Sequence, residues 1–463
     1  MFRKTSIEER NILFLDKLKA GEQVGIDQNG RLYKVKTGEM PEINGAAQET
    51  LNNLAFDYLT RSLQNKEFKD ITKGPKAFEA LIGKLVSTHL LEGQILQTSL
   101  ILWYNQRFRA LENAGYDSDT AEAITTIEMS QDPYLSDEIK DPIRPQPTTG
   151  GMSGSYFIRD RNGERIGVFK PMDEEPYMPN NPEKQLRRDY DQKKPGRIHA
   201  IRYGATQGGS WKREIVAWEI DRGDFVGIPE TVELTVLFPK RQGSPESAMK
   251  TGSFQKFVRG KQLSELTNEQ IAAIPVSELH KIATFDLAMG NADRHTDNML
   301  YDAETQSLHP IDQGLILLDS IDWKKPEEER WVSESSLWWR TYPQISKEIH
   351  SGALHWIKRY DIEYGVEKMR KLGISEGAIR EHKIRMLFLK KGAAQGLTFA
   401  QLAQLASEPE SNSPRKGGTW LDTQIEVTIN LMKTHNLDPN DEAQFFQAFA
   451  QVLPQAMQNL NFA

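Results

Sequence analysis

Hydrophobic residues recur at helical spacing along the first third of the chain. Between residues 76 and 112 the apolar positions fall three or four residues apart, which predicts one or two long amphipathic helices. The positions that set this period are Phe78, Leu81, Ile82, Leu85, Val86 and Leu90. Near residues 26–35, the polar run Asp27-Gln28-Asn29-Gly30 lies between short apolar stretches and predicts a hairpin. We therefore expect residues 1–140 to form a mostly helical N-terminal domain.

The pattern changes after residue 136. The segment 136–151 contains Pro142, Pro145 and Pro147 and ends in two glycines, so it predicts a linker over 141–150 without helix. Residues 155–158, 166–169 and 232–236 are rich in β-branched and aromatic residues, which favour strands. The run 160–163 between the first two strands predicts a tight turn, and residues 212–221 predict a helix.

Residues 345–463 return to a mainly helical pattern. We expect a central α+β domain over residues 151–400 and a helical extension over residues 401–463. Helical segments on both sides of a strand-rich centre are the main organisational feature of the chain.

The net charge, the number of cysteines and the apolar segments exclude several classes of protein. Among 463 residues, 58 are Lys or Arg and 65 are Asp or Glu, which gives a net charge of −7 and does not favour nucleic-acid binding along the whole chain. There is no cysteine, so disulfides, thiolate catalysis and cysteine zinc sites are excluded. The start lacks the apolar core of a signal peptide, and the most apolar stretch, 81–103, is interrupted by charged and polar residues. The sequence therefore predicts a soluble protein of a reducing compartment.

A glycine-rich turn precedes the first predicted strand of the central domain. Residues 150–155 read Gly-Gly-Met-Ser-Gly-Ser, and Lys170 follows on the second strand. Glycines let backbone N–H groups approach phosphate oxygens closely, and a lysine adds a point charge. The alternatives are a linker and a solvated lysine.

A polar octet supplies the strongest chemical signal. Residues 291–298 read Asn-Ala-Asp-Arg-His-Thr-Asp-Asn, and Asp312 follows in the run Ile-Asp-Gln-Gly. Phosphoryl transfer from ATP needs one carboxylate for the attacking hydroxyl, and an amide oxygen and a second carboxylate for Mg²⁺. Asp293, Asn298 and Asp312 have the spacing that supplies these groups. The alternative is a polar surface loop.

Glu214 completes the set. It lies in the predicted helix between the lysine strand and the next strand, from where an ion pair would hold Lys170 against the phosphates of the nucleotide. The alternative is a solvated helix glutamate.

Residues from about 150 to 345 resemble the phosphatidylinositol 3-/4-kinase superfamily, and within it the type II phosphatidylinositol 4-kinases and their plant gamma relatives. The matching stretches, all in the order of the family, are GGMSGSYFIRDRNGERIGVFKPMDEEPYMPNNP, WKREIVAWEID, FVGIPETVEL, GSFQKFV, ATFDLAMGNADRHTDNMLYD and PIDQGL. The resemblance implies a two-lobed protein-kinase-like fold, with a small five-stranded N-lobe and a helical C-lobe.

The resemblance also implies roles for individual residues. Lys170 is expected to bind phosphate with Glu214 as its partner, Asp293 to be the catalytic aspartate, and Asn298 and Asp312 to be the metal ligands. The residues expected around the nucleotide are Gly151, Ser153, Gly154, Ser155, Lys170, Phe257 and Val258, the last two at the hinge beside adenine.

Arg294 and His295 belong to an Asp-Arg-His triplet similar to that of the 3-kinases and the plant gamma members. We count both among the candidate catalytic residues. A histidine beside the transferred phosphoryl group can donate a hydrogen bond or carry a proton. The alternative is a structural histidine of the loop.

Two features bear on membrane contact. Animal type II enzymes carry a cysteine-rich insert where this chain has a basic segment, residues 184–202, which is expected either to bind anionic lipid or to be a solvated surface. The pair Trp338-Trp339 resembles a tryptophan-rich segment of the family near its membrane-facing side, the alternative being a place in the C-lobe core.

These features together predict an ATP-dependent kinase that uses Mg²⁺ or Mn²⁺. The first hypothesis is a kinase of phosphatidylinositol at the 4-position. The second is a protein Ser/Thr kinase, as the resemblance to the plant gamma members implies, and the third is a kinase-shaped scaffold without turnover. The expected localisation is cytoplasmic, with peripheral membrane contact or delivery into a host cell as a secreted effector as further expectations. The oligomeric state is left open.

Overall fold

The fold is taken from a computed structural model of the chain. It describes all residues apart from 1–5, 37–42, 44, 66–67, 69, 71–72, 149, 184–203, 222–224, 242, 245, 320–322, 325–335, 411–412, 414–417 and 461–463. The described chain forms two compact units. The first comprises Met1–Pro145, Ile158–Ile166 and Val236–Phe238, and the second comprises Gln146–Phe157, Gly167–Thr235 and Pro239–Ala463.

The first unit is mostly helical, as the periodicity predicts. Its helices and strands are α1 (Ile7–Lys17), β1 (Val24–Ile26), β2 (Leu32–Lys34), α2 (Gly45–Ser62), α3 (Gly74–Ser87), α4 (Gly93–Asn113), α5 (Ser118–Gln131) and α6 (Asp137–Lys140). The predicted long helical stretch is thus confirmed as the two helices α3 and α4.

The predicted hairpin at residues 26–35 is also confirmed. Strands β1 and β2 pair antiparallel, with Ile26 opposite Leu32. The carboxylate of Asp27 organises the turn, because its Oδ1 accepts hydrogen bonds from the backbone N–H groups of Asn29 and Arg31, both at 2.9 Å. Gly30 takes a positive φ of 75° in this turn.

A five-stranded sheet carries the strands of the predicted N-lobe. Its strands are β3 (Gln146–Pro147), β4 (Tyr156–Arg159), β5 (Arg165–Pro171), β6 (Thr231–Pro239) and β7 (Ser247–Lys256), in the order β3-β4-β5-β7-β6. Helix α7 (Ser210–Ile220) lies between β5 and β6 in the chain. The strand and helix predictions for this region are confirmed, with bounds that differ by a few residues.

One expectation for this region is wrong. The prolines do not exclude helix from residues 136–151, since α6 and a 3-10 turn at Asp141–Ile143 precede β3. Pro142 stands in the first turn of that 3-10 helix, where a missing N–H costs no hydrogen bond.

The C-lobe contains a small sheet and a set of packed helices. Its elements are β8 (Lys261–Gln262), α8 (Asn268–Ala272), α9 (Val276–Met289), β9 (Met299–Asp302), β10 (Ser307–Pro310), α10 (Ser351–Arg359), α11 (Ile362–Lys371), α12 (Glu376–Ala394), α13 (Phe399–Ser407), α14 (Trp420–Thr434) and α15 (Glu442–Gln458). The sheet has the order β10-β9-β8. Helix α9 is central, because every residue from Ile282 to Met289 is buried.

The C-terminal helices share the core of this lobe. Side chains of α13, α14 and α15, such as Phe399, Leu421 and Phe449, belong to the same buried cluster as those of α9. No helix in the described part of the chain is both long and apolar enough to cross a membrane. The mixed helical and sheet architecture predicted for the chain is confirmed.

Candidate active site

Lys170, Glu214 and Asp312 meet in one cluster. The Nζ of Lys170, near the end of β5, lies 2.5 Å from Oε1 of Glu214 in α7 and 3.1 Å from Oδ1 of Asp312. The other oxygen of Glu214, Oε2, accepts a hydrogen bond of 2.9 Å from the backbone N–H of Gln313. Three residues that are far apart in the sequence, each predicted from it, are therefore brought together by the fold.

The electrostatics of the cluster favour the charged forms of Lys170 and Asp312. Burial opposes the charge of Lys170, but the carboxylates of Asp312 and Glu214 outweigh it and raise the pKa of Lys170 above its usual range. The lysine cation in turn lowers the pKa of Asp312. Glu214 is 2% exposed and Asp312 is 52% exposed, so the outer carboxylate is the one accessible to a ligand. At neutral pH the cluster offers a positive lysine and a negative, half-exposed aspartate.

Helix α7 is fixed at both ends by carboxylates from the chain. Glu175 accepts hydrogen bonds from the first backbone N–H groups of the helix, those of Ser210 at 3.0 Å and Trp211 at 2.8 Å. Asp221, directly after the helix, accepts four backbone hydrogen bonds of 2.8–3.1 Å from residues 225–228. These contacts hold Glu214 in place for its pairing with Lys170.

Asn298 and Asp312 lie at the same end of the hairpin formed by β9 and β10. Met299 is paired with Pro310, and the backbone N–H of Ile311 donates to the carbonyl of Asn298 at 3.0 Å. The amide Nδ2 of Asn298 donates to the carbonyl of Asp293 at 2.9 Å, which leaves Oδ1 as the amide atom for a cation. Asp293 itself is half-buried in the loop before the hairpin.

These two residues fit a Mg²⁺ or Mn²⁺ ion. They supply one carboxylate and one amide oxygen, and Mg²⁺ in sites of this kind binds one or two carboxylates together with substrate phosphates and water. Within the described ranges no group of three or more His, Asp or Glu side chains forms a metal cluster. A cation here would therefore depend on the phosphates of the nucleotide for part of its coordination.

Arg294 is placed differently from the other candidates. Its side chain is fully buried and pairs with Asp286 of α9 at 3.1 Å. Its Nη1 donates to the carbonyls of Asn298 at 2.9 Å and Ile311 at 2.6 Å, and its Nη2 donates to Oε1 of Gln313 at 2.5 Å. The guanidinium thus holds the backbone around both candidate metal ligands, which makes Arg294 a positioning residue.

His295 is partly exposed at the edge of the same loop. Its Nδ1 accepts a hydrogen bond of 3.2 Å from the backbone N–H of Asp297, and its side chain is 34% exposed. With Nδ1 used in this way, Nε2 is the ring nitrogen that can meet a substrate.

The glycine-rich loop is anchored by a buried acid. Gly151 has a positive φ of 90° with open space around it, whereas the N–H of Gly154 donates to the carbonyl of Glu174 at 3.1 Å. A Cβ on residue 154 would collide with the Glu174 side chain. Glu174 also accepts from the hydroxyl of Tyr156 at 2.5 Å and forms a buried ion pair with Lys250. The loop is therefore unhindered at Gly151 and held by hydrogen bonding at Gly154.

Two further contacts complete the loop. Asn181 Nδ2 bridges the carbonyls of Met152 at 2.8 Å and Glu174 at 2.9 Å. Ser153 and Ser155 are half-buried, and the carbonyl of Ser155 accepts from the N–H of Thr148 at 2.8 Å.

Phe257 and Val258 occupy the connection between the two sheets. They follow β7 directly and precede β8, and both are half-buried. The ring of Phe257 packs edge to face on Phe157, with the centroids 6.2 Å apart. This is the position that the resemblance assigns to the hinge beside adenine.

Sequence reasoning missed several supporting residues. It assigned no role to Asp286, which accepts hydrogen bonds from Arg294, Asn291 and Trp339, or to Gln313, which links Glu214 to Arg294. An acidic residue inside the apolar run of α9 was the available signal for Asp286. Gln313 had no comparable signal, because its contacts are made by its backbone N–H and by one side-chain oxygen.

The structure bears on only one of the two features that were expected to contact a membrane, the tryptophan pair. Trp339 is fully buried, and its Nε1 donates to Asp286 at 2.8 Å, so a membrane-facing role for the tryptophan pair is wrong for this residue. Trp338 is 57% exposed. The basic segment 184–202 lies outside the described residues.

A glycine-rich loop, a lysine–glutamate pair and an Asp…Asn…Asp set at the connection of two lobes define a site of the protein-kinase-like class. Residues 151–331 match the family described as phosphatidylinositol 3- and 4-kinase. This part of the chain is thus similar to phosphatidylinositol 3- and 4-kinase domains, which have a two-lobed kinase-like fold.

Curated relatives agree with this assignment. The chain is 28% identical over 282 residues to phosphatidylinositol 4-kinase gamma 7 of Arabidopsis thaliana, a match that covers 57% of this chain and 40% of the relative. It is 30% identical over 284 residues to gamma 3 of the same plant, covering 56% and 45%. Gamma 4 of Oryza sativa subsp. japonica is 27% identical over 331 residues, covering 68% and 53%. The chain thus spans about half or less of the length of these relatives.

Proposed function

We propose that the protein is an ATP- and divalent-cation-dependent kinase that phosphorylates phosphatidylinositol at the 4-position. The observation that carries the proposal is the cluster in which Lys170 touches both Glu214 and Asp312. A buried glutamate fixes the lysine from one side, and a half-exposed aspartate stands on the other. This arrangement suits phosphate groups and their cation, and it has no evident purpose in a scaffold without turnover.

Each residue has a distinct task in this proposal. Lys170 holds the phosphates in position, since a fixed ammonium group supplies orientation without reorganisation. Asp293 accepts the proton of the attacking hydroxyl. Asn298 and Asp312 would hold the divalent cation, which when bound neutralises charge on the phosphates. Phe257 and Val258 bind adenine, and the loop from Gly151 to Ser155 covers the phosphates.

The lipid acceptor is supported by the family and by the names of the relatives, all of which are phosphatidylinositol 4-kinases. A lipid acceptor requires the protein to meet a membrane on the side that contains ATP, so we place it at the cytoplasmic surface of a membrane. The net charge of −7 makes general attraction to anionic lipid weak. Membrane contact would therefore be local.

The test is incubation of the full chain with radiolabelled ATP and Mg²⁺ or Mn²⁺, offering phosphatidylinositol vesicles and a protein mixture in parallel. The labelled lipid is deacylated and compared with 3- and 4-phosphate standards. Asp293→Asn is the inactive variant, and Glu304→Gln is the matched control, because Glu304 is exposed in the turn between β9 and β10.

We expect label in the lipid, at the 4-position, with wild type and Glu304→Gln and not with Asp293→Asn. If label appears only in protein, the acceptor is a protein and the proposed lipid acceptor is wrong. Absence of label in every arm would contradict a kinase.

A further inference from the structure

A cavity of about 220 Å³ lies beside the N-terminal end of α7 and is separate from the candidate active site. Its wall consists of the glycine-rich loop 204–209, Lys212 and Arg213 of α7, Leu317, and residues 373–375 before α12. The volume is several times the roughly 30 Å³ that one water occupies in the liquid. It is smaller than the roughly 300–1,000 Å³ of sites for drug-sized ligands. The cavity is therefore large enough for a small ligand.

Arg213 gives the cavity an unusual electrostatic character. The side chain is 3% exposed, and burial lowers its pKa, although the carboxylates of Glu175 and Glu214 act in the opposite direction. A guanidinium has five N–H donors. Three of them donate, to the carbonyl of Gly314 at 2.7 Å, to Thr206 Oγ1 at 3.1 Å and to Ser210 Oγ at 3.4 Å. All three acceptors are neutral, and Arg213 forms no ion pair with a described carboxylate. A desolvated cation with donors to spare thus lines the cavity.

Lys212 adds a second positive charge to the same wall. Its Nζ lies 5.7 Å from the centroid of the Trp211 ring, and it too forms no ion pair within the described part of the chain. Two carboxylates lie nearby and accept hydrogen bonds from neutral donors. Asp319 accepts a hydrogen bond from Ser375 Oγ at 3.2 Å, and Glu175 occupies the first N–H groups of α7. Lys212 and Arg213 are therefore the groups of this wall whose charge is complementary to an anion.

We propose that this cavity binds a phosphate-bearing anion at a site distinct from the nucleotide site. Arg213 and Lys212 supply the two complementary modes of phosphate binding, a planar donor fork and a point charge. The hydroxyl of Thr206 and the backbone of the glycine-rich loop add neutral polar contacts. The volume accommodates a phosphate together with a small attached group, which a free phosphate compound or a phosphorylated lipid headgroup would provide.

The site is connected to the catalytic cluster by covalent and hydrogen bonds. Arg213 precedes Glu214 in α7, and Arg213 Nε donates to Gly314, two residues after Asp312. An anion held by Arg213 would therefore fix both the helix that carries Glu214 and the loop that carries Asp312. This is the route by which occupancy would affect phosphoryl transfer.

The test measures anion binding directly and does not depend on turnover. Inorganic pyrophosphate is titrated into the full chain by calorimetry at constant ionic strength. Vesicles with phosphatidylinositol 4-phosphate, and vesicles with phosphatidylinositol in its place, are used in a parallel sedimentation arm. The variants are Lys212→Glu, the conservative Lys212→Arg, and Lys358→Glu. Lys358 is exposed on α10, so this control changes the net charge by the same amount away from the cavity. Circular dichroism verifies that each variant is folded.

We expect Lys212→Glu to raise the dissociation constant by about ten- to a hundredfold, because a charge-assisted contact is replaced by repulsion. Lys212→Arg and Lys358→Glu should bind as wild type does. None of these substitutions lies in the nucleotide site, so pyrophosphate bound there contributes equally to every titration. A difference between the variants therefore reports on the cavity. A loss seen only with phosphatidylinositol 4-phosphate vesicles would identify a lipid headgroup as the ligand. Equal binding by wild type and Lys212→Glu, equal weakening by both Glu variants, or no binding in either arm would overturn the proposal.

Discussion

Replacement of Glu214 by Gln tests the catalytic cluster with the smallest change of shape. The amide has nearly the same size as the carboxylate and can still accept a hydrogen bond from the Gln313 N–H, which lies 2.9 Å from the carboxylate. What disappears is the negative charge 2.5 Å from Lys170 Nζ. Lys170 would then have Asp312 as its remaining charged partner in the cluster.

The magnitude follows from the loss of one charge-assisted hydrogen bond. Such a bond contributes about 1.5–3 kcal/mol, and each 1.36 kcal/mol changes a rate about tenfold. We therefore expect kcat/KM for phosphoryl transfer to fall by about 10- to 150-fold. Because Lys170 would shift towards Asp312, a proposed metal ligand, the concentration of Mg²⁺ needed for half-maximal activity should rise as well.

The assay is steady-state transfer from ATP over a range of Mg²⁺ concentrations. Glu219→Gln is the matched control, since Glu219 lies on the same helix and pairs with Lys368 at 2.8 Å, outside the cluster. The control should retain wild-type kcat/KM. If Glu214→Gln stays within about twofold of wild type, or if both variants lose activity equally, the cluster does not act as described.

Three further predictions concern the metal ligands, the buried tryptophan and pH. Asp312→Ala and Asn298→Ala should each reduce transfer by at least about a thousandfold, as loss of cation-stabilised charge does, while circular dichroism shows a folded protein; near-normal turnover in either would refute the metal assignment. Trp339→Phe should lower the free energy of unfolding in urea by about 1.5–3 kcal/mol through loss of its bond to a buried carboxylate, whereas Trp338→Ala should change it by less than about 0.5 kcal/mol; equal effects would contradict the burial difference. Burial lowers the pKa of His382 to about 4, so the imidazole is neutral in the fold and gains a proton on unfolding. The free energy of unfolding should therefore fall by up to about 3 kcal/mol as the pH decreases from 6.5 to 4, and His382→Gln should flatten this slope; a slope that is unchanged would contradict the assignment.

The cluster at the candidate active site was predictable because phosphoryl transfer requires particular residue types at characteristic spacings. Lys170, Glu214 and Asp312 were each selected from the sequence, and the structure brings them within hydrogen-bonding distance. The hairpins were predictable for a related reason, since an Asp followed by a Gly at turn spacing satisfies the backbone locally.

The supporting contacts were not predictable in the same way. Three buried side chains, Asp286, Arg294 and Gln313, connect α9, the loop 291–298 and the segment after β10. No local sequence pattern encodes such long-range pairing. Trp339 shows the opposite difficulty. Adjacent tryptophans are compatible with a membrane surface and with a buried core. Trp339 is in the core because its Nε1 donates to the buried Asp286, and this contact is not visible in the sequence.

The contacts of Arg294 have a consequence for local opening of the domain. One guanidinium holds the carbonyls of Asn298 and Ile311, at the two arms of the β9–β10 hairpin, and is itself held by Asp286 in the most buried helix. Neither arm can separate from the helix without exposing an unpaired charge to an apolar interior. Amide protons of the hairpin and of the last turn of α9 should therefore exchange with solvent as one cooperative unit, so the segment that carries the candidate cation ligands opens only when the core of the C-lobe opens.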